Sequence, residues 1–218
     1  MIITIDGPAG AGKSTVAKLL AQRLGFFFLD TGAMYRAVAL AGLRRGIDWA
    51  VPEQLAELAA NVQIDLDGDR VLLDGQDVSH AIRSSQVTAV TRYVADSPQV
   101  RQLMVALQRR LAAGKNVVTE GRDQGTLVFP HAELKVFLTA SPEERARRRL
   151  RDLAAQGESG TFEQVLQAIT QRDQQDEQRP VGAMRRAPDA IELCTDGLTI
   201  EQVVDRLELL ARQRSPKL

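Results

Sequence analysis

The chain has little of what metal and redox chemistry usually draws on. One cysteine, Cys194, in 218 residues excludes an internal disulfide, a four-cysteine metal site and a CxxC redox motif. Two histidines, His80 and His131, give no basis for a histidine-rich metal centre. There is no excess of one charge: 28 basic residues face 28 acidic ones, for a net charge of zero. A general nucleic-acid binder would carry a basic surplus. No apolar run approaches the ~18 residues of a membrane span. The N-terminus has no positive leader region. It runs from Met1-Ile2-Ile3-Thr4-Ile5 straight into a glycine-rich motif that cleavage would destroy, so the expectation is a cytoplasmic protein. Lysine is scarce as well, at five residues, so 23 of the 28 basic residues are arginine. Guanidinium forks match phosphate oxygens in pairs. A codon bias toward arginine would give the same count, so position has to decide. What is present, 44% hydrophobic and 26% charged residues, is ordinary for one globular domain of this length.

Ile2–Asp6 is a short β-branched run bounded by Gly7-Pro8 and reads as a buried strand. Val16, Leu19, Leu20 and Leu24 then recur at helical spacing and stop at Gly25, a natural C-terminal glycine. A second apolar run, Phe26–Leu29, ends at Asp30-Thr31-Gly32, and a helix is expected from about Ala33 to Arg45. Strand, helix, strand, helix predicts a parallel α/β sheet. The middle differs. Val62–Leu66 alternates with period two, Asp67-Gly68 reads as a hairpin turn, and Val71–Leu73 as the return strand. That antiparallel piece cannot belong to a parallel core and reads as an inserted subdomain. Two helical stretches follow, broken near Ser97-Pro98 and ending at Gly114. Strands are then expected at Asn116–Glu120, Leu134–Thr139 and Ile191–Cys194. Helices are expected from Ser141-Pro142, over Phe162–Gln178 and over Ile200–Arg212, with a loop from Gln156 to Thr161 and a frayed tail from Gln213.

Gly7-Pro8-Ala9-Gly10-Ala11-Gly12-Lys13-Ser14 fits GxxxxGK[ST] between a strand and a helix. Glycines let backbone N–H groups turn inward around phosphate oxygens, and the helix N-terminus adds partial positive charge. Lys13 reaches the β- and γ-phosphates, and Ser14 offers a hydroxyl to Mg²⁺; Thr15 continues the same first turn. A Rossmann reading fails, because Thr15 stands where the third glycine would be. The chain therefore binds a nucleoside triphosphate. It lacks an NKxD guanine-reading motif, so a GTPase switch is not expected.

Other residues point to a second anionic substrate. Thr31 opens a helix after the second strand, either as its cap or as a hydroxyl facing another phosphate, with Arg36 one turn on. Glu120-Gly121-Arg122-Asp123-Gln124-Gly125-Thr126 lies at the C-terminal end of a parallel strand, where ligands bind in open α/β sheets. Five arginines fall between Arg145 and Arg151. A solvated helix face explains them through Glu143–Arg147 and Glu144–Arg148 pairs at i,i+4. A lid closing over a transferring phosphoryl group explains them too, with Arg145, Arg148 and Arg149 neutralising charge. Arg172, Asp176 and Arg179 share one helical face, as a surface ladder or as a grip on a polar substrate.

Together these segments resemble the bacterial cytidylate kinase family. The resemblance rests on Ile3–Pro8, Leu29–Arg36 and GRD-x-GT-x-VFP over Gly121–Pro130. It extends to Thr139–Arg149, Arg172-Asp173-x-x-Asp176-x-x-Arg179 and Leu198–Val204, and so covers nearly the whole chain in order. It implies a P-loop core with a five-stranded parallel sheet flanked by helices, at about 1–36, 98–144 and 170–218. A monophosphate-binding insertion would span about 37–97 and a helical lid about 145–169. The implied reaction moves the γ-phosphoryl of ATP, with Mg²⁺, onto CMP or dCMP, in a cytoplasmic monomer that needs neither nucleic acid nor membrane. Thr31, Arg36, Arg122 and Arg179 would hold the acceptor phosphate, Arg101 and Asp123 would face cytosine, and Arg172 and Asp176 the sugar. Lys13 and Arg122 would act on the transferring group with the lid arginines. A carboxylate at Asp123 accepts from the cytosine amine and repels the uracil oxygen. Two positions depart from the family pattern: Arg92 aligns where a small hydroxyl residue is common, with Thr91 beside it, and Gln124 replaces a usually apolar residue. The competing readings are a kinase for another small acceptor, such as a different monophosphate or shikimate, and a P-loop regulatory protein with no acceptor.

Overall fold

The computed structural model describes residues 1–155 and 157–215. Its elements run β1 (Ile2–Asp6), α1 (Lys13–Leu24), β2 (Phe27–Asp30), α2 (Thr31–Arg45), α3 (Pro52–Ala60), β3 (Ile64–Asp67), β4 (Arg70–Leu73) and β5 (Gln76–Asp77). They continue with α4 (Ser85–Asp96), α5 (Pro98–Ala112), β6 (Val117–Gly121), β7 (Leu134–Thr139), α6 (Pro142–Ala155), α7 (Phe162–Gln178), β8 (Ile191–Cys194) and α8 (Ile200–Arg214). The chain's contacts divide it into two units, residues 1–28 with 115–218, and residues 29–114.

The first unit holds the parallel core, and the whole sheet runs β2-β6-β1-β7-β8. β1 is central, with Ile5 opposite Glu120 on β6 and Val136 on β7. Its β-branched residues are buried because both faces of the sheet are covered, as parallel sheets require. Ile3, Ile5, Val118, Val136 and Leu138 pack with Val16 and Leu20 of α1 and Val203, Val204 and Leu207 of α8. α6 and α7 pack on each other around a separate small core of Ala146, Val165 and Ile169, edged by Leu150, Leu153 and Phe162. Thr161 closes a capping box with Gln164 at the start of α7.

The second unit is mostly helical. α2 packs against α3, α4 and β4, and α3 against α5. Its sheet is antiparallel, in the order β3-β4-β5.

The expected strands at Ile2–Asp6, Leu134–Thr139 and Ile191–Cys194 and the helix at Phe162–Gln178 are found with those bounds. Other expectations are corrected. α2 starts at Thr31 rather than Ala33, and its cap is Asp30, whose carboxylate accepts from the Ala33 N–H at 2.9 Å. Thr31 is thus the first helical residue and not the cap. The hairpin has a third strand, β5, and α3 precedes it. Both are short, although Pro52, Glu53 and the Leu55–Leu58 spacing announce α3 in the sequence. α8 continues through Gln213 to Arg214, past the expected fraying point. In the expected loop from Gln156, that first residue lies outside the described set, as do residues 216–218 of the tail.

Candidate active site

The loop between β1 and α1 is shaped by two glycines. Gly7, at φ +140°, passes so close to β7 that a Cβ would lie 2.0 Å from the Leu138 carbonyl oxygen. Gly12, at φ +91°, turns the chain into the first turn of α1. Lys13 follows, buried, its Nζ donating to the Pro8 carbonyl at 2.8 Å across the loop. Burial pushes the Lys13 ammonium down to about 7, with Arg122 and Arg172 adding repulsion and Glu120 and Asp6 opposing it. An ammonium held in a basic, desolvated place waits for anionic charge. Ser14 and Thr15 stand exposed on the same turn.

The α6 arginines divide sharply. Arg145 is buried and bonds to main chain and carboxylate: Nε to the Ala140 carbonyl at 3.1 Å, Nη1 to the Ala9 carbonyl at 3.1 Å and to Asp173 Oδ2 at 2.6 Å. Arg148 donates to Glu144 at 3.0 Å, to Thr195 Oγ1 at 3.0 Å and to the Thr195 carbonyl at 3.1 Å, with a longer contact to the Ala11 carbonyl at 3.4 Å. Arg149 is exposed. With Arg148 and Arg151 it lines a cavity of about 520 Å³ beside the loop, whose other walls include Gly10, Thr15, Thr195 and Ile200.

The end of β6 is held from β1. The Asp6 carboxylate accepts from the main-chain N–H groups of Gln124 at 2.8 Å and Gly125 at 2.7 Å, fixing a single wide turn over Gln124–Val128. Burial raises the Asp6 carboxyl to about 6, against the lowering effect of those two hydrogen bonds. Asp123 is buried immediately before this turn. Gln124 does not face outward: it is fully buried, accepting from Thr119 Oγ1 at 3.0 Å. Its departure from the apolar pattern is met by a hydroxyl inside the sheet. Arg122 donates through Nε to Asp176 Oδ2 at 2.7 Å, and Arg179 through Nη2 to Asp176 Oδ1 at 2.6 Å. Burial by itself would raise the Asp176 carboxyl, but Arg122 and Arg179 outweigh it and hold the group below the usual carboxylate range. Arg172, exposed on α7, contributes charge to both Lys13 and Asp176. The structure thus brings together Lys13, Arg122, Asp176, Arg179 and Arg172 within the first unit.

Thr31, Arg36 and Arg101 belong to the second unit. Thr31 is buried at the start of α2. Arg36 donates to Thr88 Oγ1 at 2.8 Å and the Ile82 carbonyl at 3.3 Å. Arg101 is buried, donating to the Ala95 carbonyl at 3.0 Å with its guanidinium 5.5 Å from the Tyr35 ring centre. Arg92 lies over its neighbour Tyr93, and Thr91 donates back to the Val87 carbonyl at 2.7 Å. Sequence reasoning passed over Asp6, Asp173 and Thr195. Asp6 carried a usable signal, a carboxylate ending an otherwise apolar buried strand.

Comparison with known proteins places the chain in a family. A family model described as cytidylate kinase matches residues 3–213. A cytidylate kinase from Rhodopirellula baltica is 54% identical over 213 residues, covering 98% of this chain and 93% of that protein. Another from Pelotomaculum thermopropionicum is 52% identical over 207 residues, covering 93% and 92%. Among solved structures the fold is similar to that of a shikimate kinase from Bacteroides thetaiotaomicron, with a TM-score of 0.51 at 17% identity over 97% of this chain and 98% of that one. A family model that matches nearly the whole chain and half the sequence shared with these relatives leave one assignment: the chain belongs to the cytidylate kinase family.

Proposed function

We propose that this chain transfers the γ-phosphoryl group of ATP, with Mg²⁺, to CMP or dCMP, giving ADP and CDP or dCDP. The observation that carries this reading is the gathering of Lys13 and the Arg122–Asp176–Arg179 cluster in one unit, the first suited to a donor phosphate and the second to an acceptor. The donor phosphates would lie along Gly7–Thr15, with the nucleoside in the cavity beside the loop. Thr31, Arg36, Arg122 and Arg179 are assigned to the acceptor phosphate, Arg101 and Asp123 to cytosine, Arg172 and Asp176 to the sugar. The insertion at about 37–97 and the lid at about 145–169 are proposed to work as monophosphate-binding and closing segments. The separate small core of α6 and α7 supports a lid that moves as one piece.

The residues fit Mg²⁺. Among the described residues no three acidic, histidine or cysteine side chains gather to hold a metal. A hard cation that arrives with nucleotide phosphates needs only a hydroxyl and water besides their oxygens, and Ser14 presents that hydroxyl. Bound there, Mg²⁺ would neutralise charge on the β- and γ-oxygens. Lys13 stabilises charge on the same oxygens, and Arg122 and Arg179 fix the acceptor in line. No general base is required, because the attacking phosphate oxygen is already ionised. Among the described residues no helix is long and apolar enough to cross a membrane. The proposed form is a monomer working on small molecules in the cytoplasm, and zero net charge argues against a general nucleic-acid partner. ADP formation across CMP, dCMP, UMP, AMP and no acceptor tests the reading: CMP and dCMP should far exceed the rest. Equal turnover with and without acceptor would refute it.

A further inference from the structure

Arg145 has the wrong surroundings for a group that neutralises a migrating phosphoryl. It is 4% exposed, and its Nε and Nη1 are already engaged by two main-chain carbonyls and one carboxylate from three parts of the first unit. Ala140 follows directly on β7, the Ala9 carbonyl belongs to the β1–α1 loop, and Asp173 sits on α7, one turn before Asp176. A Cβ on Gly10 would lie 3.2 Å from Arg145 Cβ, so the loop also rests on the arginine's stem. A hydrogen bond to the Ala9 carbonyl thus ties the loop's main chain to α6. On the other side, the Asp176 carboxylate holds Arg122 and Arg179. A continuous chain of contacts thus runs from the Ala9 carbonyl through Arg145, Asp173 and one turn of α7 to the acceptor arginines.

Asp173 adds a second observation. Its Oδ1 is buried with no hydrogen-bond partner among the described residues, while Oδ2 accepts from Arg145. A half-satisfied buried carboxylate costs stability. It also places negative charge close to a site meant for phosphates. Neither stability nor phosphate affinity accounts for an acid here; a fixed grip on Arg145 does.

We infer that Arg145 and Asp173 form a positioning pair that sets the phosphate loop in register with the acceptor-binding face of α7. The inference rests on the kinase reading and reassigns Arg145 from phosphoryl contact to alignment. Small errors of alignment cost rate more than binding: a displacement of about 1 Å can cost on the order of a hundredfold.

A double-mutant cycle tests this. Arg145→Met and Asp173→Ala should each lower kcat by about ten- to a hundredfold, with KM for ATP and for CMP within about threefold of wild type. The double variant should be no slower than the worse single one. Arg145→Lys should not restore kcat, because an ammonium keeps the charge but not the fork. A near-normal kcat in Asp173→Ala, recovery in Arg145→Lys, or losses that multiply in the double variant would each overturn the pair and return Arg145 to direct phosphoryl contact. If thermal unfolding shows that Arg145→Met is not folded at the assay temperature, the cycle runs on Arg145→Lys and Asp173→Asn with the same expected non-additivity. Wild-type turnover is the control. Acceptor-independent ADP formation by wild type would remove the kinase reading and this inference with it. An additive cycle in a CMP-dependent enzyme removes the inference alone.

Discussion

The two regions of the first unit proposed to face phosphates are built on opposite plans. The proposed donor region is main chain: a loop of eight consecutive residues, Gly7 to Ser14, whose turns need glycine at positive φ and whose Ala9 carbonyl accepts from Arg145. The proposed acceptor region is side chain: Arg122 on the β6 loop, and Asp176 and Arg179 on and just beyond α7, the first two 54 positions apart in sequence. A main-chain site is fixed by local geometry and tolerates few changes. A side-chain site depends on a carboxylate holding two guanidinium groups, so each member can be weakened separately. The difference predicts which substitutions damage chemistry and which damage acceptor recognition.

The largest effect should come from Lys13, the loop side chain proposed to act on the transferring phosphoryl group. Lys13→Ala should lower kcat by on the order of 10²–10³ while the fold survives, since the lost interaction develops in the transition state. Steady-state kinetics with an unfolding control reads this, and a near-normal kcat would break the contrast from the donor side.

Asp176→Ala should act on the acceptor side. Without its carboxylate, Arg122 and Arg179 lose the charge-assisted bonds that orient them, and kcat/KM for CMP should fall by about a hundredfold. KM for ATP should stay near wild type. An equal loss toward ATP would merge the two regions into one.

Asp123 sharpens the comparison within the acceptor region, as the only proposed base-reading acid. Asp123→Asn should narrow the preference for CMP over UMP by roughly tenfold to a hundredfold, because an amide can donate to the uracil oxygen. Equal losses toward both acceptors would leave Asp123 a support for Arg122.

The donor region was the more legible of the two in the sequence, for the physical reason just given. GxxxxGK[ST] records a local conformation, and a strand before it and a helix after it can be read from neighbouring residues. The strands of the parallel core were equally plain, because burial makes them short runs rich in β-branched and apolar residues between turn signals. The acceptor region left only separate hints, an Arg-Asp pair at a strand end and a charged helical stripe. Their meeting at Asp176 depends on tertiary packing. The spacing alone could not tell Arg145, buried under the loop, from Arg149, exposed four residues further along the same helix, since both fell within one basic run. Asp6 was visible as a carboxylate ending a buried strand, but its partners, the main-chain N–H groups of Gln124 and Gly125, leave no mark in composition.

A smaller effect follows from Lys13's surroundings. Burial lowers its ammonium from 10.5 to about 7, so the free enzyme loses that charge as pH rises through neutrality. At saturating CMP, kcat/KM for ATP should therefore fall above about pH 7, by no more than about tenfold per pH unit. Linkage gives a matching sign for stability: between about 7 and 10.5 the unfolded chain holds the proton that folded Lys13 has released, so stability rises with pH over that window. Thermal unfolding of wild type and Lys13→Met across the same range checks it, the variant losing that rise.

The destination of the phosphoryl group tests the central claim most directly. With ATP labelled in the γ-phosphate, Mg²⁺ and CMP, the account predicts that the label appears in the β-phosphate of CDP, in amounts equal to the ADP formed. Label recovered as inorganic phosphate, at a rate indifferent to CMP, would contradict it.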